Sequence, residues 1–375
     1  MQAGKRILLV QLFSNGDCLF ATTVARQIKK DYPGCYLIWM IADYCKAILE
    51  NNPFIDEITT ISGINHSNWK NNWKSFKRQL KFIQREKNID ETFFTQIIDR
   101  NFANYDYCIR STIFRGYDRP ITVPIKPVLR LTQKETANVK AFADLNRLSA
   151  FKTIVLFEFA PRSGQAQFTK EEAIGISEKL VQMNQSIAFI LSSDKKLSSN
   201  SPNVIDGSGL SLRETAHLTH HCTHLVGCSS GITWISTSDA AKELPMVQIL
   251  DPQAYWLNSV ASDHRRFSLP TEHIIEITDS SVDNITSCLD TIINKNFSEA
   301  KKIFHRDIPK QFKITRGIIV YLLSKGDIKA VMRHISINIK LFGRDPRLIR
   351  SIILGITTFP VMIAKDKIQM LFKRG

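Results

Sequence analysis

Residues 5–12, KRILLVQL, are followed by the turn FSNGD (13–17), a helical pattern to about Asp31 and a second apolar run, YLIWMIA (36–42). Neither apolar run alternates with polar residues, which is typical of strands buried on both faces of a parallel sheet. A third short strand is predicted near 56–61. Strands and helices that alternate at this spacing indicate a βαβ series.

A second series of the same kind begins at TIVLFEFA (153–160) and closes at MVQIL (246–250). The two series predict an α/β protein with two facing, Rossmann-like, doubly wound domains, which we place at 1–130 and 131–298. Ligands of such sheets bind outside the carboxyl ends of the strands. We therefore expect a site in the cleft between the domains.

The segment that connects the two series has weaker patterns. It contains a polar helix over 66–88, short strands at FFTQII (93–98) and YDYCI (105–109), and a stretch with three prolines over 119–132 that predicts a crossover between the domains. Thr132 and Glu135 match a capping box and predict the start of the next helix.

The charge is unevenly distributed. The 375 residues carry 50 basic and 35 acidic side chains, a net charge of +15; residues 301–375 hold 17 basic and 4 acidic ones, so +13 lies there and +2 in the rest. From residue 299 the pattern predicts a basic helical extension. The uncharged stretch 351–364 is too short to span a bilayer but long enough to lie in its interface. We expect an anionic membrane surface as partner and no nucleic acid, with a merely solvated helical surface as the alternative.

The remaining composition excludes several classes of protein. Apolar residues make up 43% and charged residues 23%, as in globular domains. The seven cysteines include no C-x-x-C pair, which argues against a disulfide framework and favours a reducing cytosol. The N-terminal apolar run is interpreted as a strand and not as a signal peptide, and no stretch of about 18 apolar residues suggests a membrane span.

The turn Ser14-Asn15-Gly16-Asp17 is the first candidate site. Gly16 allows a sharp backbone path, and Asp17 falls on the first turn of the next helix, at the mouth of the cleft. A carboxylate there can accept a proton from a hydroxyl substrate. The alternative is that Asp17 only caps the helix.

These residues carry a resemblance to a known family. The strand, the Ser-x-Gly-Asp turn, the Tyr-Pro pair before the second strand and the Asn-Pro-x-hydrophobic-Asp segment resemble glycosyltransferase family nine, the heptosyltransferases of lipopolysaccharide synthesis, over 5–61. The resemblance resumes over 153–251, where GLSLRETAHL and LVGCSSG are similar to family stretches. It fades over 62–130, and none is claimed for 299–375.

The resemblance implies a fold and a reaction. The family has the GT-B architecture, with acceptor in the first domain and nucleotide-sugar donor in the second, inverts the anomeric centre and needs no metal or other cofactor. It implies Asp17 as general base, an ADP-heptose-like or other nucleoside-diphosphate sugar as donor, and a lipopolysaccharide, glycan or lipid-linked acceptor at the inner face of a bacterial cytoplasmic membrane. The absence of any Asp-x-Asp agrees with metal independence.

Three features of the sequence predict where the donor binds: a serine-containing loop, a basic side chain and a glutamate. Ser229, Ser230 and Gly231 lie between a short strand and a helix, where hydroxyls and backbone N–H groups suit a diphosphate; an ordinary serine N-cap is the alternative. Arg162, with Lys170 as alternative, is expected to supply positive charge. Glu214 resembles the family glutamate near the donor nucleoside.

Three positions depart from the family. Ser229 stands where the family usually has Asp, Ala166 where it has Lys and Trp234 where it often has His. These departures leave the donor open.

The histidines at 217, 220, 221 and 224 are not part of the resemblance. On one helix, His217, His221 and His224 would share a face and could bind Zn²⁺; the alternative is an amphipathic helix with polar histidines.

Two other classes remain as rivals to a glycosyltransferase. A Rossmann-type oxidoreductase is disfavoured because no G-x-G-x-x-G follows a strand. A non-catalytic membrane or nucleic-acid adaptor would use only the basic extension.

Overall fold

The first domain is built on a parallel four-stranded sheet. The structure, a computed structural model, describes residues 4–159, 168–251, 259–308 and 310–372, with side chains to residue 359 in the last helix. The strand order is β3-β2-β1-β4. The strands are β1 Arg6–Val10, β2 Tyr36–Ala42, β3 Glu57–Ile61 and β4 Glu91–Phe94. The helices are α1 Asn15–Asp31, α2 Trp69–Glu86 and α3 Ile109–Tyr117, with 3₁₀ turns at Asp43–Leu49 and Asp99–Asn104.

The second domain has a parallel six-stranded sheet in the order β10-β9-β8-β5-β6-β7. The strands are β5 Thr153–Glu158, β6 Ile187–Ser192, β7 Val204–Asp206, β8 His224–Gly227, β9 Met246–Ile249 and β10 Ile274–Ile277. The helices are α4 Gln133–Leu145, α5 Lys170–Met183, α6 Leu212–Leu218, α7 Gly231–Ile235, α8 Val260–Arg266, α9 Val282–Asn294 and α10 Phe297–Phe304. 3₁₀ turns lie at Leu148–Ala150 and Thr219–His221.

The apolar runs that predicted the strands form the core. Ile7, Leu8 and Leu9 of β1 are fully buried, as are Leu156 and Phe157 of β5. Because every strand pairs in parallel, the carboxyl ends of each sheet lie at one edge. The prediction of a doubly wound α/β fold is confirmed; β7 and β10 were not predicted.

The crossover between the domains has no regular structure over 120–132 and lies along α1. The Thr23 hydroxyl donates to the carbonyl of Ile125 at 3.1 Å, and Gln27 Oε1 accepts from the backbone N–H of Thr122 at 2.8 Å. The capping box predicted at Thr132 and Glu135 starts α4.

Two predicted elements are wrong. Residues 105–109 are not a strand, because Tyr107 has a φ of +66° and Asp106 accepts from the Cys108 N–H at 3.1 Å, a turn that starts α3 instead. The histidines are not on one helix. Thr223 exchanges hydrogen bonds with Ile154 of β5 at 2.9 and 3.0 Å and draws the chain into β8, so His224 lies in a strand.

The basic extension divides in two. Its first helix, α10, packs on α9 and β10 of the second domain. The others are α11 Lys313–Ser324, α12 Ile328–Phe342 and α13 Pro346–Phe372. Ile319 and Leu322 of α11 are fully buried in a cluster with Tyr105 and Tyr107, so α11–α13 pack back onto the first domain. None of the described helices is long and apolar enough to cross a membrane.

Candidate active site

The turn after β1 is held by Gln96, which follows β4, the strand that pairs with β1. Gln96 Oε1 accepts from the backbone N–H groups of Leu12 at 2.8 Å and Phe13 at 2.9 Å. Ser14 follows with a φ of +71°, and its carbonyl accepts from the Cys18 N–H at 2.9 Å. Ser14, not Gly16, therefore makes the sharp bend. Gln96 is distant in sequence from the turn, so the sequence analysis did not find it.

Asp17 lies where it was predicted, in the first turn of α1 beyond the carboxyl end of β1. It does not occupy the N-cap position, which belongs to Ser14. Across the residues that the structure describes, no hydrogen bond or ion pair to the Asp17 carboxylate is found. Burial raises its pKa to about 7. A carboxylate with that pKa and no protein partner is suited to accept a proton near neutral pH.

The second domain contributes a buried carboxyl group that the sequence analysis missed. Glu158 ends β5 and is only 3% exposed. Thr233 donates to Glu158 Oε2 from its hydroxyl at 3.0 Å and its backbone N–H at 3.3 Å, and the Ser230 hydroxyl donates to Oε1. Burial raises the pKa of Glu158 to about 7. The only sequence signal was a lone carboxylate at the end of an apolar strand.

The Ser229-Ser230-Gly231 loop rests on this carboxyl group and on Gln248. Ser229 has a φ of +52°, and its backbone N–H donates to Gln248 Oε1 at 2.8 Å. Ser230 occupies the N-cap position of α7, but its hydroxyl donates to Glu158 and not to the helix backbone. Ser230 is therefore an N-cap residue that does not cap the helix through its side chain. Because α7 has only five residues, a helix dipole adds little here.

A glycine brings these groups close together. A side chain at Gly227 would place Cβ 2.4 Å from Thr233 Oγ1 and 3.2 Å from Glu158 Oε2. The backbone of β8 consequently passes directly beside the Glu158 carboxyl group, and only glycine fits there.

Trp234 connects the two halves of the candidate site. Its ring contacts Phe20 of α1 edge-on, with 4.9 Å between centroids, and its Nε1–H donates to the Ser229 carbonyl at 3.2 Å. A Cβ at Gly16 would lie 3.5 Å from the same ring. The structure thus brings Gly16 of the first turn and Ser229 of the second loop into contact with the same tryptophan.

The other predicted donor residues have different outcomes. Arg162 and Ala166 lie outside the described residues. Lys170 is exposed at the first position of α5. Both carboxylate oxygens of Glu214 are engaged: Oε2 accepts from the Ser211 N–H at 2.7 Å as part of a capping box, and Oε1 accepts from Asn138 at 2.9 Å.

The histidines and cysteines do not form a metal site in the described ranges. His217 and His220 have ring centroids 5.1 Å apart, but no group of three His, Cys, Asp or Glu side chains placed to hold a metal is found in that part of the chain. All seven cysteines are buried and free.

Solved structures share the fold. A glycosyl transferase family 9 protein from Veillonella parvula is 13% identical with a TM-score of 0.53, over 86% of this chain and 99% of that one. The ADP-heptose lps heptosyltransferase II of E. coli is 14% identical with a TM-score of 0.51, over 77% and 99%. The chain matches no protein-family model and no curated protein. The likeness establishes that this chain has the GT-B fold, as the resemblance implied.

Proposed function

We propose that this protein is an inverting, metal-independent glycosyltransferase that transfers a hexosyl or heptosyl group from a nucleoside-diphosphate sugar to a lipopolysaccharide, glycan or lipid-linked acceptor. The observation that carries the proposal is Asp17, a carboxylate without a hydrogen-bond partner among the described residues, whose pKa is raised to about 7 and whose neighbour Gly16 approaches Trp234 of the second domain. The GT-B fold supports it, since known structures with that fold include glycosyltransferases.

The chemistry follows from this placement. Asp17 takes the proton of an acceptor hydroxyl while that oxygen forms a bond to the anomeric carbon. The bond from that carbon to the diphosphate breaks, and the nucleoside diphosphate leaves with the electron pair. Attack opposite the leaving group inverts the anomeric centre. The proton is removed as the new bond forms, which avoids a free alkoxide.

The donor is assigned to the second domain. Ser229, Ser230 and Gly231 would hold the diphosphate, with Arg162 or Lys170 supplying positive charge. Glu214 would approach the ribose with the remaining lone pairs of its oxygens. A nucleoside-diphosphate sugar as donor is supported by the shared fold with the ADP-heptose lps heptosyltransferase II of E. coli.

A ligand screen tests the class of protein. The full chain is heated with ADP-glucose, UDP-glucose, NADH or a short DNA duplex, and the melting temperature is recorded. Ligands that bind only the folded state raise the melting temperature. At a ligand concentration of a hundred times Kd, the free energy of unfolding increases by about 2.7 kcal/mol. We expect stabilisation by a nucleotide-sugar and none by NADH. Stabilisation by NADH alone would establish the oxidoreductase rival, and by DNA alone the adaptor rival.

We further propose that the exposed faces of α12 and α13 bind an anionic membrane surface. Residues 313–359 contain 9 basic and 2 acidic side chains. The two acidic residues are engaged, Asp327 with Arg100 at 3.1 Å and Asp345 with Arg347 at 2.7 Å. Large apolar side chains are nevertheless exposed among the basic ones, namely Ile328 (66%), Met332 (61%), Ile353 (54%) and Ile356 (47%). Arg333 pairs with Asp118 at 2.9 Å, but the basic side chains of this segment still outnumber the acidic ones, and exposed apolar side chains beside such an excess fit the interface of an anionic bilayer.

The packing of the extension decides how this proposal is tested. Leu348 and Ile352 of the apolar stretch are buried, and a Cβ at Gly355 would lie 2.9 Å from Ile319 Cβ. Deleting 301–375 would therefore remove part of the protein core. Surface substitutions are the cleaner experiment.

The membrane test uses point variants of the full chain. Sedimentation is measured with phosphatidylglycerol-containing vesicles and with pure phosphatidylcholine vesicles at physiological salt. We expect binding only to the anionic vesicles, and about tenfold weaker binding for the double variant Ile328→Ser/Met332→Ser, because about 1 kcal/mol or more of apolar burial is lost. The control variant Leu145→Ser removes an exposed leucine on α4 and should not change vesicle binding. Equal effects of both variants, or no vesicle binding by the wild type, would contradict the proposal.

A further inference from the structure

The contact between Glu158 and Ser230 has two possible hydrogen-bonding states. Both residues are buried, with Ser230 8% and Glu158 3% exposed. Glu158 Oε2 accepts two hydrogen bonds from Thr233, and Oε1 meets the Ser230 hydroxyl. The Thr233 N–H can only donate, so it makes Oε2 an acceptor, whereas the single hydroxyl hydrogen of Thr233 can point to Oε2 or to Gln248 Oε1 at 3.2 Å. Oε1 is then the oxygen on which a proton can reside.

We propose that Glu158 sets the direction in which the Ser230 hydroxyl donates its hydrogen bond, and thereby controls how tightly the cleft binds the diphosphate of a nucleotide-sugar. This inference rests on the proposed function and assigns a regulation to the same site. It makes Glu158 a positioning residue, since it acts on the substrate only through Ser230.

The direction follows from the donor and acceptor capacities of the two groups. An ionised carboxylate can only accept, so it takes the single hydroxyl hydrogen of Ser230 and leaves oxygen lone pairs facing the cleft. A protonated carboxyl group donates from Oε1 to Ser230 Oγ, which releases the hydroxyl hydrogen toward the cleft. A diphosphate needs donors, so it binds the protonated state more tightly.

The surroundings place this exchange in the physiological range. Burial raises the pKa of Glu158 to about 7, although the hydrogen bonds from Thr233 lower it. From β6, Ser192 is its register partner; after β8, the Cys228 thiol donates to the Glu158 carbonyl at 3.4 Å; from β9, Gln248 is neutral. Burial also raises the pKa of Cys228, which keeps it a neutral thiol. From the first domain, the Arg110 guanidinium lies 5.7 Å from the Trp234 ring centroid and pairs with Asp263 at 3.1 Å, and Asp17 lies on α1.

Donor binding across pH tests the inference. ADP-glucose and UDP-glucose are titrated into the full chain by calorimetry between pH 6 and 8. Their phosphates are diesters and do not titrate there, unlike a phosphomonoester with a second pKa of about 6. We expect Kd to rise about tenfold from pH 6 to pH 8 and binding near pH 7 to take up protons, because the competent fraction falls with deprotonation.

Variants identify the source of the pH dependence. Glu158→Gln keeps the shape of the side chain and always donates a hydrogen bond, so the ratio of Kd at pH 8 to Kd at pH 6 should fall below twofold. Ser230→Ala should weaken binding at pH 6 and should also reduce the pH dependence of Kd. Glu276→Gln is the matched control, because Glu276 is another buried strand glutamate that accepts from a serine, Ser259, at 3.0 Å. It should retain the tenfold ratio.

Three outcomes would overturn the inference. A Glu158→Gln protein that keeps the tenfold ratio excludes Glu158 as the source. A ratio lost in Asp17→Asn but kept in Glu158→Gln would assign the effect to repulsion by Asp17. Binding of nucleotide-sugars with no pH dependence would refute the regulation and leave the proposed function intact, whereas no binding at any pH would refute both.

Discussion

The two halves of the cleft each contain a carboxyl group with a pKa near 7, and the two groups differ in their partners. Asp17, beyond β1, and Glu158, at the end of β5, both owe the raised pKa to burial. Glu158 is bound by Ser230 and Thr233, while no such partner of the Asp17 carboxylate is found in the described part of the chain. The same electrostatic shift thus occurs in two different settings.

The difference indicates different duties. A carboxyl group whose oxygens are engaged by its own protein can position a loop, but it cannot easily reach a substrate hydroxyl. One without protein partners has its lone pairs available for a substrate proton. We therefore assign proton transfer to Asp17 and positioning to Glu158, and the following predictions test that assignment.

Replacing Asp17 should have the largest effect. Asp17→Asn keeps the size of the side chain and removes the base, so the transfer rate is expected to fall about a hundredfold or more at pH 7.5. Binding of the nucleotide-sugar should change less than twofold. Transfer is measured by release of nucleoside diphosphate in the presence of acceptor.

Glu158→Gln is the matched comparison for this variant. At pH 6, where Glu158 is largely protonated in the wild type, we expect less than a tenfold loss of rate. A Glu158 variant as inactive as the Asp17 variant, with donor binding retained, would reverse the assignment of the two roles.

Below the pKa of Asp17, the transfer rate should rise about tenfold for each pH unit. A base with a pKa of about 7 is mostly protonated below that pH, so kcat should rise about tenfold from pH 5 to 6 and level off above pH 7. Asp17→Asn should give a flat residual profile. A wild-type rate independent of pH between 5 and 8 would show that Asp17 does not act as the base.

The sequence was most informative where local pattern and burial agree. The apolar runs 5–12 and 36–42 specify buried parallel strands because they lack polar alternation, and Asp17 follows from its place after the first of them. The short strand β7 has three residues, too few for a reliable pattern. At 105–109 the apolar and aromatic residues suggested a strand, but the side chain of Asp106 favoured a turn.

Long-range contacts were beyond the sequence pattern. Gln96 binds the backbone after β1 from more than 80 residues away, and Glu158 meets Ser230 from 72 away. A local sequence pattern cannot predict a contact between residues so far apart in the chain. The extension was predicted as a basic tail, yet α11 alternates between buried and exposed residues because it covers the first domain.

Burial of Asp17 should also lower the free energy of unfolding. We expect this loss to be smaller than the lowering of the transfer barrier that Asp17 provides. A carboxyl group whose pKa is raised in the folded state holds its proton better there than when unfolded, so the folded protein loses stability as pH rises from about 4 to about 7. Asp17→Asn removes that penalty. We expect it to be more stable than wild type at pH 8 by on the order of 2 kcal/mol, or roughly 3 °C in melting temperature. The difference should shrink at pH 5; a variant less stable than wild type at pH 8 would contradict a buried charge.

Removing divalent cations should have the smallest effect. A divalent cation in a protein takes several oxygen ligands, whereas the carboxylate oxygens of Glu158 are engaged by the hydroxyl groups of Ser230 and Thr233. Hydroxyl and cationic side chains would then stabilise the leaving diphosphate. We expect the transfer rate to change less than twofold in excess EDTA at pH 7.5. Recovery by Mn²⁺ of activity lost to EDTA would make one of the two carboxyl groups a metal ligand, and recovery by Zn²⁺ alone would direct attention to the histidines near His217.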